Sequence, residues 1–151
     1  MSTFEFDPET FLNTQVDGEM DTQFTPIPEG DWMATIDKIA FRKVTNKNGE
    51  DQVIMDLTWE ILDESVKKQT ELEKPTARQS IFLDLTPEGG IDRGKNKNVQ
   101  LGKVRDAVGQ NKSGKPWGPA QLQSQVATVR VAQRVDGENT YTDVKKVTKP
   151  S

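Results

Sequence analysis

Alternation of apolar and polar positions begins at Asp31. Trp32, Ala34 and Ile36 alternate with Met33, Thr35 and Asp37, the period-two signature of a strand with one buried face. The phase slips near Lys38, and Ile39 and Phe41 then carry it on, so one strand with a bulge or sharp bend is expected. Asn46-Lys47-Asn48-Gly49 predicts a hairpin turn. The clearest strand follows, from Gln52 to Ile61. Val53, Met55, Leu57, Trp59 and Ile61 share one face, and Asp56, Thr58 and Glu60 share the other. Leu62 to Ala77 is polar and shows neither period, which predicts a long loop or insertion. Arg78 to Leu85 predicts a third strand with Ile81, Leu83 and Leu85 in phase and Phe82 facing the other way. Thr86 to Lys97 is rich in Gly, Lys and Asn and predicts a mobile basic loop.

Asn98 to Val108 predicts a short helix. Asn98 is placed to cap it, Leu101, Val104 and Val108 fall on one face, and Gly109 can end it. A polar loop, Gln110 to Pro119, leads to a further helical turn over Pro119 to Ser124. A fourth strand is expected over Val126 to Arg134, with Val129 and Val131 on one face and Arg130, Ala132 and Arg134 on the other. Asp136-Gly137-Glu138-Asn139 turns the chain into a fifth strand, Thr140 to Val147. One helix between the third and fourth of five strands is the order of an OB-fold barrel, and an open sheet with one helix would give the same order. The fold class expected is therefore mainly β: a five-stranded OB-fold-like barrel plus an N-terminal arm.

Before Thr25-Pro26-Ile27-Pro28 there is no alternation. Residues 1–25 predict a partly disordered acidic arm, residues 26–148 the barrel domain, and residues 149–151 a short tail. Phe4, Phe6, Phe11 and Leu12 give the arm enough apolar surface to dock as a short helix on the body or on a partner.

Charge sharpens this division. The formal net charge of −4 conceals −8 over residues 1–31, which hold no Lys or Arg, and +4 over the rest; from Asp92 onward, 12 bases face 5 acids. An acidic arm on a basic body suits either ordinary solvated surface or a polyanion-binding domain whose arm competes with the polyanion or recruits a partner. Cysteine is absent, which removes disulfides and thiolate metal sites and fits a reducing cytoplasm. Histidine is absent too, which removes the usual general base and the usual zinc ligand. No phosphate-binding glycine loop or nucleophile elbow occurs. No apolar run approaches the ~18 residues of a membrane span, and no secretory apolar segment follows Met1. The expectation is a cytoplasmic binding module, neither enzyme nor membrane protein, with no cofactor and no metal.

Basic residues interleaved with aromatics are the chemistry that remains. Single-strand binders align cations along a groove for phosphates and present flat rings for bases. The candidate rings are Trp117, Phe82 and Tyr141, whereas Trp32 and Trp59 are in phase with the core. Trp117 could equally act as a lid on the barrel. The candidate cations are Arg42 and Lys43 at the end of the first strand, Arg78 on the third, and Arg93, Lys95 and Lys97 in the glycine-rich loop. Lys112 and Lys115 beside Trp117, Arg130 and Arg134 on the fourth strand, and Lys145 on the fifth complete the set.

This layout resembles a family of phage-encoded single-stranded-DNA-binding proteins of OB-fold type. The likeness is carried by Pro28-Glu29-Gly30-Asp31-Trp32 entering the first strand, by Leu57-Thr58-Trp59-Glu60-Ile61-Leu62, and by Gln79-Ser80-Ile81-Phe82-Leu83. The Gly102–Val108 helix and the closing Tyr141-Thr142-Asp143-Val144-Lys145-Lys146-Val147 complete it. It covers residues 26–148 and rests on layout and spacing. It implies coating of single strands during phage DNA replication or recombination in the host bacterial cytoplasm. The acidic arm makes phage replication or recombination proteins candidate further partners, and a homo-oligomer is compatible with the chain. One departure stands out. Such proteins commonly end in an acidic tail, and here the acidic segment is N-terminal while the chain closes Lys145-Lys146-Val147-Thr148-Lys149-Pro150-Ser151. Two other readings compete: a protein-binding phage adaptor or inhibitor whose acidic arm mimics nucleic acid, and a carboxylate-dependent nuclease using Asp56, Glu60, Asp63 and Glu64.

Overall fold

The computed structural model describes residues 5–22 and 25–151, and five strands in it close a barrel in the order β1-β2-β3-β5-β4. The architecture is the expected OB-fold-like one. Strand β1 (Gly30–Thr45) is long enough to serve two neighbours. Its first part pairs antiparallel with β4 (Val126–Asp136), and Ala34 onward pairs with β2 (Asp51–Ile61). The register shifts between Ile36 and Lys38, where the sequence slips phase. This bulge bends β1 and returns Ile39 to the inner side after Ala34 and Ile36. Asn46 holds the hairpin turn by accepting hydrogen bonds from the backbone N–H groups of Asn48 and Glu50, and Gly49 supplies the left-handed residue (φ +79°).

The inner faces of β2 and β3 (Thr76–Leu83) supply Met55, Leu57, Trp59, Ile61, Ala77 and Ile81 to one continuous core. Trp59 is fully buried and its indole N–H donates to Gln79 Oε1 at 3.0 Å, so the largest core side chain leaves no polar group unpaired. Trp32, half-buried, donates to the Pro28 carbonyl at 2.8 Å. Closure is completed by β5 (Asn139–Thr148), antiparallel to β4 and joined to β3 in parallel through the pair Arg78–Asp143.

Three expectations need correction. The segment 62–77 is not simply a loop, because it holds helix α2 (Glu64–Thr70). Asp63 caps it by accepting from the Ser65 N–H, and Val66 and Thr70, one turn apart, are buried. One apolar anchor and one hydroxyl residue in a polar background leave no readable period. The 86–97 loop is more tightly held than its composition suggests: Leu85 bridges Ile91, and Asn98 ties both ends together. Finally, Asn98 stands at the N-cap position of α3 (Val99–Ala107) but caps nothing with its side chain. Its amide accepts from the Asp84 N–H at 2.7 Å and donates to the carbonyls of Asp84 and Asp92, each at 2.8 Å.

Helix α3 packs Leu101, Val104 and Ala107 onto the barrel against β5 and β3. A 3₁₀ turn at Pro119–Leu122 buries Leu122 beside it. In the arm, α1 (Pro8–Leu12) forms with Asp7 as its cap, and Phe6 rests against Phe11 with centroids 5.3 Å apart. Every described arm residue from Glu5 to Asp21 is exposed, so α1 does not dock on the barrel. Phe4 lies outside the described residues. The buried chain begins at Ile27, whose carbonyl accepts from the Gln133 side chain.

Candidate nucleic-acid interface

Most candidate residues fall on three separate surfaces, and their ionic pairing separates these more sharply than their position does. On the outer wall of β1-β2-β3, Arg42, Ile54 and Phe82 stand side by side on adjacent strands. Phe82 is 57% exposed, as its reversed phase predicts. One position along, Asp56 is nearly buried. It accepts from Arg42 Nε at 2.8 Å, Arg78 Nη2 at 3.1 Å and Ser80 Oγ at 2.6 Å. Burial works against the carboxylate's charge, but the bonds from Ser80, Arg42 and Arg78 outweigh it and hold its pKa below the ordinary carboxylate value. Both arginines are thus already engaged. Lys43 lies on the opposite face of β1 near the hairpin and pairs with Asp51 at 3.4 Å.

The β4–β5 surface repeats this arrangement. Arg130 meets Asp31 in a two-pronged contact at 3.0 and 3.1 Å, and Arg134 meets Asp143 at 2.9 Å. The Arg134 guanidinium also lies 4.6 Å from the centroid of Tyr141, which covers one face of that ring. One face of Tyr141 is therefore taken, as is one face of Trp117, and neither arginine of β4 is an unengaged phosphate contact.

The third surface differs. Between α3, the 91–98 loop and the 111–117 loop lies a pocket of about 730 Å³. Arg93, Lys97, Lys112 and Lys115 line it together with Trp117, joining segments that are far apart in sequence. Lys95 is exposed in the same loop but does not line the pocket. Arg105 of α3 completes the wall. Its guanidinium sits 4.3 Å from the Trp117 centroid, its Nη2 donates to the Gln110 carbonyl at 3.0 Å, and its buried Nε–H has no partner among the described residues. Burial first, and then the like charge of Arg93, press its pKa below the ordinary arginine value. Trp117 packs one side against the core and donates from its indole to Gln110 Oε1 at 2.8 Å. It is thus partly a lid and partly a ring at the pocket edge, with Arg105 over one face.

Five cations and a single acid, Asp92, line this pocket, and among the described residues none of the five forms an ion pair. Lys145 lies elsewhere, in a groove on the other flank of α3. Arg105 is the residue that sequence reasoning missed. Its helical position, one turn after Leu101, borders the apolar stripe, and that is the signal available in the chain.

Among the described residues no three acidic side chains are gathered to hold a metal ion, and no helix is long and apolar enough to cross a membrane. Models of known protein families give no match to the chain, and comparison with curated proteins finds no relative.

Proposed function

We propose that the chain binds single-stranded DNA without regard to sequence, as a strand-coating protein of phage DNA replication or recombination acting in the host cytoplasm. The observation that carries this reading is the pocket beside α3, where unpaired cations surround an aromatic ring. Cations hold phosphates and a ring stacks on any base, and neither reads a base edge, so such a site is tolerant of sequence. Arg105 adds a fifth cation to the pocket wall. The phage setting rests on the layout shared with phage single-strand binders.

The test is titration of a labelled oligo-dT at two salt concentrations. Tight binding that weakens steeply with salt is expected. No binding at low salt, or binding indifferent to salt, overturns the proposal.

A second reading is favoured by the arm. Phe6, Phe11, Leu12, Val16 and Met20 stand exposed among acids, as in a segment that engages a protein partner. An adaptor or inhibitor of this kind would lack oligonucleotide affinity and would lose its protein complex on deletion of residues 1–25.

A further inference from the structure

Helix α3 has a second groove on its opposite flank, about 710 Å³ in volume, between the helix and the end of β5. Lys103, Lys145, Lys146 and Lys149 line it with a single acid, Asp106, and among the described residues none of these lysines forms an ion pair. The helical repeat explains the two flanks. Leu101 and Arg105 face the Trp117 pocket, Lys103 and Ala107 face the second groove, and Leu101, Val104 and Ala107 anchor the helix between them.

Gly102 lines the Trp117 pocket and is followed directly by Lys103 of the second groove, and a Cβ added at Gly102 would meet nothing within 4 Å. Its φ is helical, so neither packing nor backbone conformation requires glycine, which is among the poorest helix formers. A missing side chain at the rim of the first pocket, next to the first lysine of the second, leaves room for an extended polyanion to pass from one to the other.

We infer that one continuous single strand occupies both grooves, crossing α3 at Gly102, so that the binding path runs around the helix end of the barrel and not along the outer wall of β2 and β3. The inference rests on the single-strand reading above. The second groove takes phosphates of the same strand, and because it holds no aromatic ring it contributes mainly charge.

The experiment compares three proteins of the full chain by fluorescence anisotropy, using oligo-dT from about 4 to about 16 nucleotides over a range of salt. The first is the parent. The second carries Lys103→Gln, Lys145→Gln and Lys149→Gln. The third carries Lys47→Gln, Lys67→Gln and Lys68→Gln, which remove the same charge from positions outside both grooves. Thermal unfolding checks that each is folded. The second protein should lose affinity for long oligomers while matching the parent on the shortest, and its log–log salt slope should be shallower by about 2, at about 0.7 per lost contact. The control should keep the parent's slope. If the second protein behaves like the control while the parent binds, the crossing path is wrong and the single-strand reading stands. If the parent binds no oligomer at low salt, both fall.

Discussion

The guanidinium of Arg105 lies over the indole of Trp117, 4.3 Å from its centroid, and each shapes what the other can do. The arginine covers part of one ring face. The ring, held by Gln110, lines the pocket with the surface that Arg105 and the core leave exposed. Trp117→Ala should reduce oligo-dT affinity by about 1–3 kcal/mol, the usual worth of one stacked base, whereas Trp117→Phe should retain most of it. Titration of labelled oligo-dT measures this. An alanine variant that binds as well as the parent removes the ring from the site.

Phe82 distinguishes the outer wall from the helix end. It is mostly exposed, so Phe82→Ala should change unfolding free energy by no more than about 0.5 kcal/mol in urea. With the strand on the α3 side, oligomer affinity should also be unchanged. A clear loss of affinity at unchanged stability would place the strand across β2 and β3.

Asp56 organises the wall, and its removal should be felt in stability. Asp56→Asn leaves Arg42 and Arg78 without their counter-charge. Because both arginines are about half exposed, a loss of about 1–2 kcal/mol is expected. The sign of the pH dependence follows from the depressed pKa. The carboxylate's contribution is fully present above its unfolded value of about 3.9 and is lost as pH falls through the lower folded value. The gap between parent and variant in urea midpoints should therefore be constant near neutrality and shrink below about pH 4.

Deleting residues 1–25 removes six acids and no base, and removes no described side chain from the core. The thermal midpoint should stay within about two degrees of the parent's, consistent with surface changes of no more than about 0.5 kcal/mol. At low salt the deletion should bind oligo-dT more tightly, and the difference should vanish as salt screens the arm. A large fall in midpoint would mean that the arm packs on the barrel.

Gly102→Ala should stabilise the protein by about 0.5–1 kcal/mol, because the site has room and a helical φ. Chemical denaturation reads this directly.

The strands were legible because each alternates cleanly over one buried face, and even the bulge at Ile36–Lys38 left its mark as a slipped phase. Helix α2 was not, since Val66 and Thr70 are its two buried anchors in a charged stretch. The candidate cations could be named from composition but not sorted. Asp31 lies far in sequence from Arg130, Asp143 faces Arg134 across the β4–β5 hairpin, and only the strand register brings Asp56 beside Arg42 and Arg78. The same holds for Arg105, which reads as one more surface charge until the 111–117 loop folds over it.

The bend in β1 has a consequence for copies laid side by side. Beyond Asp37 the strand has left β4 and the 123–125 segment and pairs through its other edge with β2, so its free edge offers backbone donors and acceptors to any neighbour. Such edges invite strand addition and aggregation. Lys38 stands exposed on this stretch and forms no ion pair among the described residues, so two copies meeting edge to edge bring like charges together. Copies of the chain are thereby discouraged from zipping into a common sheet.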